Sequence, residues 1–146
     1  MTPRIHASDF AGLDPRTAYL LWQLRSDVFV VEQDCPYLDL DGRDLEPETV
    51  QLWVEEDGAP VACLRILEDG DVARIGRVVV HPGRRGRGLA AALLEAALRR
   101  IGDRPSVLDA QAHLSRWYAR FGYRRVGDDF LEDGILHTPM CRGSID

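Results

Sequence analysis

The alternation of apolar and polar residues predicts a set of neighbouring β-strands in the middle of the chain. Apolar positions recur with strand periodicity in three stretches, and Asp-Gly pairs, which favour tight hairpin turns, separate them. The pattern therefore predicts an antiparallel meander, in which each strand pairs with the next. The predicted strands cover residues 50–56, 61–68 and 72–80, and a shorter first strand covers residues 4–7.

Helical periodicity precedes and follows this meander. Asp14 and Pro15 are residue types that favour the cap and the first position of a helix, and apolar residues at helical spacing follow them. Between this helix and the meander, residues 30–48 contain two prolines and a glycine, so we predict a functional loop there. The predicted helices cover residues 15–29, 88–101 and 112–121.

The last third of the chain completes the predicted fold. A short buried strand is predicted over residues 107–110, and two final strands over residues 123–127 and 135–141. The order of elements is a meander followed by βαβαββ, which indicates an α+β protein with a mixed central sheet flanked by helices. A length of 146 residues, 45% of them hydrophobic, predicts a single domain over residues 1–146.

Composition and charge narrow the classes of function. The chain lacks a run of about 18 apolar residues and a signal peptide, so we predict a cytoplasmic protein without membrane association. Cys35, Cys63 and Cys141 lack metal-ligand spacing, which favours reduced thiols and no metal. The net charge of −6 argues against nucleic-acid binding. Of the 24 acidic residues, 11 lie from Asp27 to Asp57, which indicates either a cationic partner or a solvated acidic loop.

The candidate chemistry lies in a glycine-rich segment that follows the third meander strand. Gly86 and Gly88 let the backbone approach a ligand closely, and the start of the next helix offers unpaired N–H groups. Three arginines in the same segment complete a predicted anion site, best suited to a pyrophosphate. Residues 86–91 also match the G-x-G-x-x-[G/A] dinucleotide pattern, which leaves a nicotinamide-dinucleotide protein as an alternative. That match is weak, because His81, Pro82 and the arginines separate the strand from the glycines.

Several segments together resemble the GNAT acyltransferase family. Residues 85–90, RGRGLA, fit its [Q/R]-x-x-G-x-[G/A] signature, between an apolar strand and a helix rich in Ala and Leu. Residues 117–123, WYARFGY, resemble the family's F-Y-x-[K/R]-x-G-[F/Y] segment. Residues 28–44, 110–114 and 130–137 are similar to the ElaA-type members of the family, so the resemblance extends over nearly the whole chain.

The resemblance implies a GNAT-like sheet with a V-shaped splay between its two middle strands and a bulge near Val78 or Val79. Amides of the glycine-rich loop would hold the pyrophosphate of acetyl-CoA, with added charge from Arg85 and its neighbour Arg84. The strand would pair with the pantetheine arm, and a backbone N–H there would stabilise the oxyanion. The implied coenzyme A-binding residues are Val78, Val79, Val80, Arg85, Gly86, Arg87, Gly88, Leu89, Ala90 and Gln111.

The resemblance further implies an N-acetyltransferase that works by direct transfer in a ternary complex. Tyr118 matches the residue that protonates the departing sulfur in this family. Glu32, His137 and Glu68 are open candidates for the base that accepts the amine proton. The implied acceptor is a primary amine of a small molecule or peptide, with a cationic acceptor as the narrower hypothesis. The family also allows a homodimer.

Two other hypotheses concern catalysis itself. A non-catalytic module that senses acyl-CoA is the main alternative to an enzyme, although such a module has no need of Tyr118 as an acid. Cys35 suggests a covalent acyl-cysteine, but the sequence offers no His/Asp partner for it. We therefore interpret Cys35 as a small buried thiol.

Overall fold

The computed structural model describes residues 3–144, which form one mixed eight-stranded sheet with helices on both faces. The helices are α1 (Pro15–Arg25), α2 (Leu89–Ile101) and α3 (Ser115–Ala119). The strands are β1 (His6–Ser8), β2 (Val50–Glu56), β3 (Ala59–Asp69), β4 (Val72–Val80), β5 (Ser106–Gln111), β6 (Arg124–Arg125), β7 (Phe130–Glu132) and β8 (Ile135–Arg142). Their order in the sheet is β1-β2-β3-β4-β5-β8-β6, and β7 pairs with β8.

The predicted meander is confirmed. Strands β2 and β4 have the predicted bounds, β3 is slightly longer, and β1 begins two residues later than predicted. Asp57 and Gly58 both have positive φ, 54° and 77°, as a two-residue hairpin turn of type I′ requires. The Asp-Gly pair therefore marks this turn because its residues tolerate the left-handed conformation.

The first helix begins as its sequence predicts. The Asp14 carboxylate accepts a hydrogen bond of 2.8 Å from the Thr17 amide, and Pro15 occupies the first helical position. Beyond Arg25 the chain continues as a π-helical segment over Ser26–Glu32, so regular α-helix ends earlier than predicted. Residues from both parts bury apolar side chains on the sheet face that carries Cys63 and Val79.

The second helix covers the opposite face of the sheet. Helix α2 has the predicted apolar stripe, in which Leu93, Leu94 and Ala97 are completely buried. They pack with residues of β3 such as Leu64, whose neighbour Cys63 belongs to the other face. Since side chains alternate between the faces of a strand, α1 and α2 sandwich the centre of the sheet.

The C-terminal part of the fold differs from its prediction in three places. The predicted helix 112–121 is a 3₁₀ turn over Ala112–Leu114 followed by the short α3, and the strand predicted over 123–127 shrinks to the two residues of β6. An unpredicted strand, β7, forms a hairpin with β8. Its turn is another Asp-Gly pair with positive φ, Asp133 and Gly134.

The predicted splay lies between β4 and β5, which pair in parallel only at their beginnings. The paired residues are Ala73 with Ser106 and Arg74 with Val107, after which the two strands separate. A bulge in β4 lies between the pairs Arg65–Gly76 and Cys63–Val79, where β4 has one residue more than β3. Arg77 lies inside this bulge with a φ of 55°. The sheet therefore opens beside the loop that follows β4, as the family resemblance implies.

Candidate active site

The glycine-rich loop connects the open end of β4 to helix α2. Its first turn is capped by His81, whose Nδ1 accepts a hydrogen bond of 3.0 Å from the Gly83 amide. Gly86 and Gly88 have φ values of 79° and 76°, which glycine adopts without strain. Gly88 is the cap of α2 and contributes no side chain, so the first amides of a 13-residue helix point into the loop without a side-chain partner.

A cavity of about 220 Å³ lies where this loop meets α2 and α3. Among the implied coenzyme A-binding residues, it is lined by Val80, Arg85, Gly86, Gly88, Leu89 and Ala90; Arg84, Ala91 and Trp117 complete the lining. Trp117 was not among the predicted site residues, although it immediately precedes Tyr118 in the 117–123 motif.

The remaining implied coenzyme A-binding residues lie around the cavity rather than in its wall. Val79 is buried on the α1 face of the sheet, whereas Val78 packs on the α2 face. Gln111 lies at the end of β5, across the splay, and its Nε2 donates a 3.4 Å hydrogen bond to Gln33 Oε1. Arg87 extends away from the loop toward β2, where it bonds to Glu56.

The arginines of the loop form ion pairs with neighbouring elements. Arg85 makes a bidentate pair with Glu32, with both N–O distances at 2.7 Å, and Arg84 and Arg87 both bond to Glu56. Each of these five side chains is at least one-quarter exposed, so water and salt weaken the pairs. A phosphate group can therefore compete for these guanidinium groups at modest cost.

Tyr118 lies on the α2 face with only 6% of its surface exposed. Its ring packs edge-on against Trp117, 4.9 Å away, and against Tyr123, 6.2 Å away. Burial raises the pKa of the Tyr118 phenol well above its ordinary value, which keeps the proton on the oxygen. Among residues 3–144 no hydrogen bond engages this hydroxyl, so the proton is free for another acceptor.

His137 lies across the splay, on the opposite face of the sheet from Tyr118. It pairs in register with Gln111, and side chains at paired positions point to the same face. Its Nδ1 lies 2.8 Å from the Ile135 carbonyl oxygen, and Phe130 stacks on its ring. A carbonyl only accepts hydrogen bonds, so in the neutral imidazole Nδ1 carries the proton and Nε2 has the lone pair.

The other candidate bases differ sharply in position. Glu32 lies at the end of the π-helical segment beside the loop, and its hydrogen bonds from Arg85 lower the pKa of its carboxyl. Glu68 pairs with Arg104 at 2.6 Å and lies near the far end of β3, opposite Ala73. Glu68 therefore lies beside the beginning of β4, whereas the glycine-rich loop follows its end, and this distance argues against Glu68 as the base.

The Cys35 thiol is buried and donates a 3.0 Å hydrogen bond to the Asp133 carbonyl oxygen. This contact ties the loop after the π-helical segment to the β7–β8 hairpin. It agrees with the interpretation of Cys35 as a small buried thiol.

The acidic stretch between residues 27 and 57 is largely neutralised within the molecule. Six of its 11 carboxylates form ion pairs with arginines: Glu32, Asp39, Asp41, Asp44, Glu46 and Glu56. The stretch therefore presents much less free negative charge than its composition indicates, which removes most of the support for a cationic acceptor.

Comparison with known proteins decides the family. The family model for the acetyltransferase (GNAT) domain matches residues 32–142, three-quarters of the chain. The chain belongs to the GNAT acetyltransferases. Membership of this family accounts for three features that occur together in the chain. These are the splayed sheet, the glycine-rich loop at the start of α2, and the aromatic residues Trp117 and Tyr118 on α3. The chain is accordingly a GNAT-type acyltransferase.

Individual GNAT relatives agree in sequence and in structure. The UPF0039 protein Rv2851c of Mycobacterium tuberculosis is 49% identical over 144 residues, covering 95% of this chain and 90% of that protein. Protein ElaA of Escherichia coli is 41% identical over 131 residues, covering 85% and 86%. The crystal structure of an acyl-CoA N-acyltransferase from Pseudomonas aeruginosa is 41% identical, with a TM-score of 0.90 over 97% of this chain and 99% of that one.

Two other features are absent from the described residues. In the part of the chain from residue 3 to residue 144, none of the helices has the length and apolar character needed to cross a membrane. Over the same residues, no three His, Cys, Asp or Glu side chains are grouped as a metal site requires.

Proposed function

We propose that the protein transfers an acetyl group from acetyl-CoA to a primary amine by direct attack in a ternary complex. The observation that carries this proposal is that three features occur around the open end of β4. These are the start of α2, which has no side-chain cap, the opening between β4 and β5, and the buried Tyr118, which shares a core cluster with Val78 and Val80. Each feature matches one part of an acyl-CoA: its pyrophosphate, its pantetheine arm and its departing sulfur.

Backbone groups do most of the donor binding in this proposal. The amides of Gly86, Arg87, Gly88 and Ala90 hold the pyrophosphate at the positive end of the α2 dipole. The main chain of Val78 and Val80 hydrogen-bonds the pantetheine arm as an added strand, in the place that β5 leaves open. A backbone N–H at the bulge stabilises the oxyanion that forms when the amine attacks.

Two side chains on opposite faces of the sheet handle the protons. Tyr118 donates its proton to the sulfur as the bond from the carbonyl carbon to sulfur breaks. His137 Nε2 accepts a proton from the attacking amine, directly or through water. We prefer His137 to Glu32 for this role, because the pairing of Glu32 with Arg85 makes that carboxylate a weaker base.

Calorimetric titration with acetyl-CoA, with NAD as the comparison ligand, tests the donor site first. Binding of acetyl-CoA without binding of NAD supports the proposal, whereas a preference for NAD contradicts it. Release of free thiol is then measured over a panel of neutral amines, polyamines and peptide amines. Binding of acetyl-CoA with no amine-dependent release over the whole panel would instead indicate an acyl-CoA sensor.

The Tyr118→Phe variant tests the acid. We expect kcat to fall about 100-fold with little change in acetyl-CoA affinity, because only the proton donor is lost. The matched control is Tyr123→Phe, a second buried tyrosine whose hydroxyl bonds to Ser106 instead. We expect the control to retain its kcat, and equal losses in both variants would contradict the assignment.

The His137→Gln variant tests the base. We expect kcat to fall about 100-fold, since no imidazole remains to accept the proton of the attacking amine. The Glu32→Gln variant serves as the comparison and should retain its kcat. The opposite result would move the role of base to Glu32.

A further inference from the structure

The bulge in β4 places a non-glycine residue in a backbone conformation that it rarely adopts. Arg77 has a φ of 55°, in the left-handed region, although it lies within a strand. Such a conformation persists only when the surrounding structure holds it, and it is typical of functional sites.

The contacts of the Arg77 side chain supply the restraint. Its NH2 donates a 3.0 Å hydrogen bond to the Asp39 carbonyl oxygen and lies 3.5 Å from the Asp41 carboxylate. Its Nε lies 2.8 Å from Asp39 Oδ1, a close ion-pair contact that is not aligned as a hydrogen bond. The Tyr37 ring packs 5.6 Å from the guanidinium group.

The segment that holds Arg77 is itself anchored inside the protein. Asp39 is 4% exposed and receives hydrogen bonds from Arg25, which is completely buried: Nε donates to the carboxylate at 3.0 Å and NH2 to the carbonyl oxygen at 3.1 Å. Arg77 is thus tied to helix α1 through Asp39. A rigid partner of this kind can hold the backbone of β4 in a disfavoured shape.

The bulge decides which residues of β4 face each side of the sheet. Before it, Ala73 and Ile75 belong to the core on the α2 face; after it, Val78 packs on that face and Val79 on the α1 face. The alternation therefore shifts by one residue at Arg77. The same shift orients the backbone N–H and C=O groups of the part of β4 that β5 leaves unpaired.

We propose that Arg77 is a positioning residue for the acyl donor. By holding the bulge against Asp39, it aims the backbone groups of Val78 and Val80 that β5 leaves unpaired into the splay, where they hydrogen-bond the pantetheine arm. One of these groups, the Val80 carbonyl, accepts a 3.2 Å hydrogen bond from the exposed Arg85 Nε, which the arm would replace. This inference rests on the proposed function, since it presupposes that the splay receives an acyl-CoA. It predicts that the loss of Arg77 weakens the grip on the pantetheine arm and leaves the pyrophosphate site intact.

The test compares two ligands on two variants. Acetyl-CoA has both a pyrophosphate and a pantetheine arm, whereas ADP has a pyrophosphate only. For Arg77→Ala we expect the Kd of acetyl-CoA to rise about 10-fold and the Kd of ADP to stay unchanged. A 10-fold rise corresponds to the loss of one or two backbone hydrogen bonds. The matched control is Arg74→Ala, which removes an arginine of the same strand that also pairs with two carboxylates, Asp69 and Asp109. For this control we expect both Kd values to stay at those of the unmodified protein.

The possible outcomes separate the inference from the proposed function. If the unmodified protein fails to bind acetyl-CoA, the proposed function fails. Suppose that the unmodified protein binds acetyl-CoA. If folded Arg77→Ala then binds both ligands as tightly as the unmodified protein, or loses affinity for both to the same extent, the positioning role is wrong. If Arg77→Ala does not fold, Arg77→Lys takes its place. A lysine reaches Asp39 with a single ammonium group and should weaken acetyl-CoA binding a few-fold, again without affecting ADP.

Discussion

Replacing Asp44 by Asn tests the buried ion-pair network that joins the 39–44 loop to the body of the protein. Asp44 is 5% exposed, and its carboxylate accepts four hydrogen bonds, two from Arg25, one from Arg65 and one from Gln51. Asn has nearly the same shape as Asp, so the substitution removes a charge with little change in packing. It also turns an N–H donor toward two guanidinium groups, which cannot accept it.

The expected loss follows from the balance of charges. The network contains three guanidinium groups and three carboxylates: Arg25, Arg65, Arg77, Asp39, Asp41 and Asp44. Removal of one carboxylate leaves a net positive charge among groups that are mostly buried, and breaking a buried pair costs about 3–5 kcal/mol. In this variant Arg25 still pairs with Asp39, and Arg65 still pairs with Asp41. We therefore expect a loss of stability at the lower end of that range, about 3 kcal/mol.

Urea denaturation at pH 7, followed by tryptophan fluorescence, measures this loss. The midpoint should fall for Asp44→Asn while the slope of the free energy of unfolding against urea is unchanged. The control is Glu46→Gln, which removes a half-exposed carboxylate of the same segment that pairs with Arg43, and should cost less than about 1 kcal/mol. A loss for Asp44→Asn no greater than that of the control would refute the argument from burial.

Three further predictions follow from other contacts of the structure. Burial favours a raised pKa for Asp44, but the hydrogen bonds and charges of its arginine partners outweigh burial and hold it below the ordinary value. The stability from this group is therefore complete above the ordinary aspartate pKa, about 3.9, and is lost as the pH falls below it. Urea unfolding between pH 7 and pH 3 should show a steeper loss for the unmodified protein than for Asp44→Asn, and parallel losses would contradict this. Glu32→Gln frees Arg85 for phosphate, so calorimetry should find acetyl-CoA bound a few-fold more tightly, most clearly at low salt; weaker binding would exclude competition between the two groups. Gly88→Ala forces an L-residue to a φ of 76° at the start of α2, and should weaken acetyl-CoA binding and lower stability by about 1 kcal/mol. The control Gly70→Ala, at a φ of 67° in the β3–β4 turn, should lower stability alone, and unchanged binding in Gly88→Ala would show that the loop tolerates the strain.

Most of the fold could be predicted because its signals are local. The meander and α2 follow from apolar periodicity, and the Asp-Gly turns and the Asp14 cap follow from residue types that suit one backbone conformation. The β7–β8 hairpin was missed although its turn, Asp133-Gly134, has the same signal. Strand β7 has only three residues, which is too short for an alternating pattern to be recognised.

The candidate site likewise has parts that the sequence indicates and parts that it does not. The glycine-rich loop and the Tyr118 motif are continuous segments, so the sequence alone identified them and, through their resemblance to GNAT proteins, the family. The ion pairs of the site join residues far apart in the chain, and no local pattern indicates them. Charge counting thus indicated an acidic loop where the structure has Asp39 and Asp44 paired with three arginines, Arg25, Arg65 and Arg77.

Sequence patterns alone predicted the class of fold, the order of its main elements, a candidate anion-binding loop and the family. The folded contacts were needed to show which acids are neutralised, that Glu68 lies far from the loop, and that Arg77 contacts Asp39 at the bulge. This difference arises because backbone preferences act between neighbours in the chain. The electrostatic environment of a side chain instead depends on groups that folding brings together from distant segments.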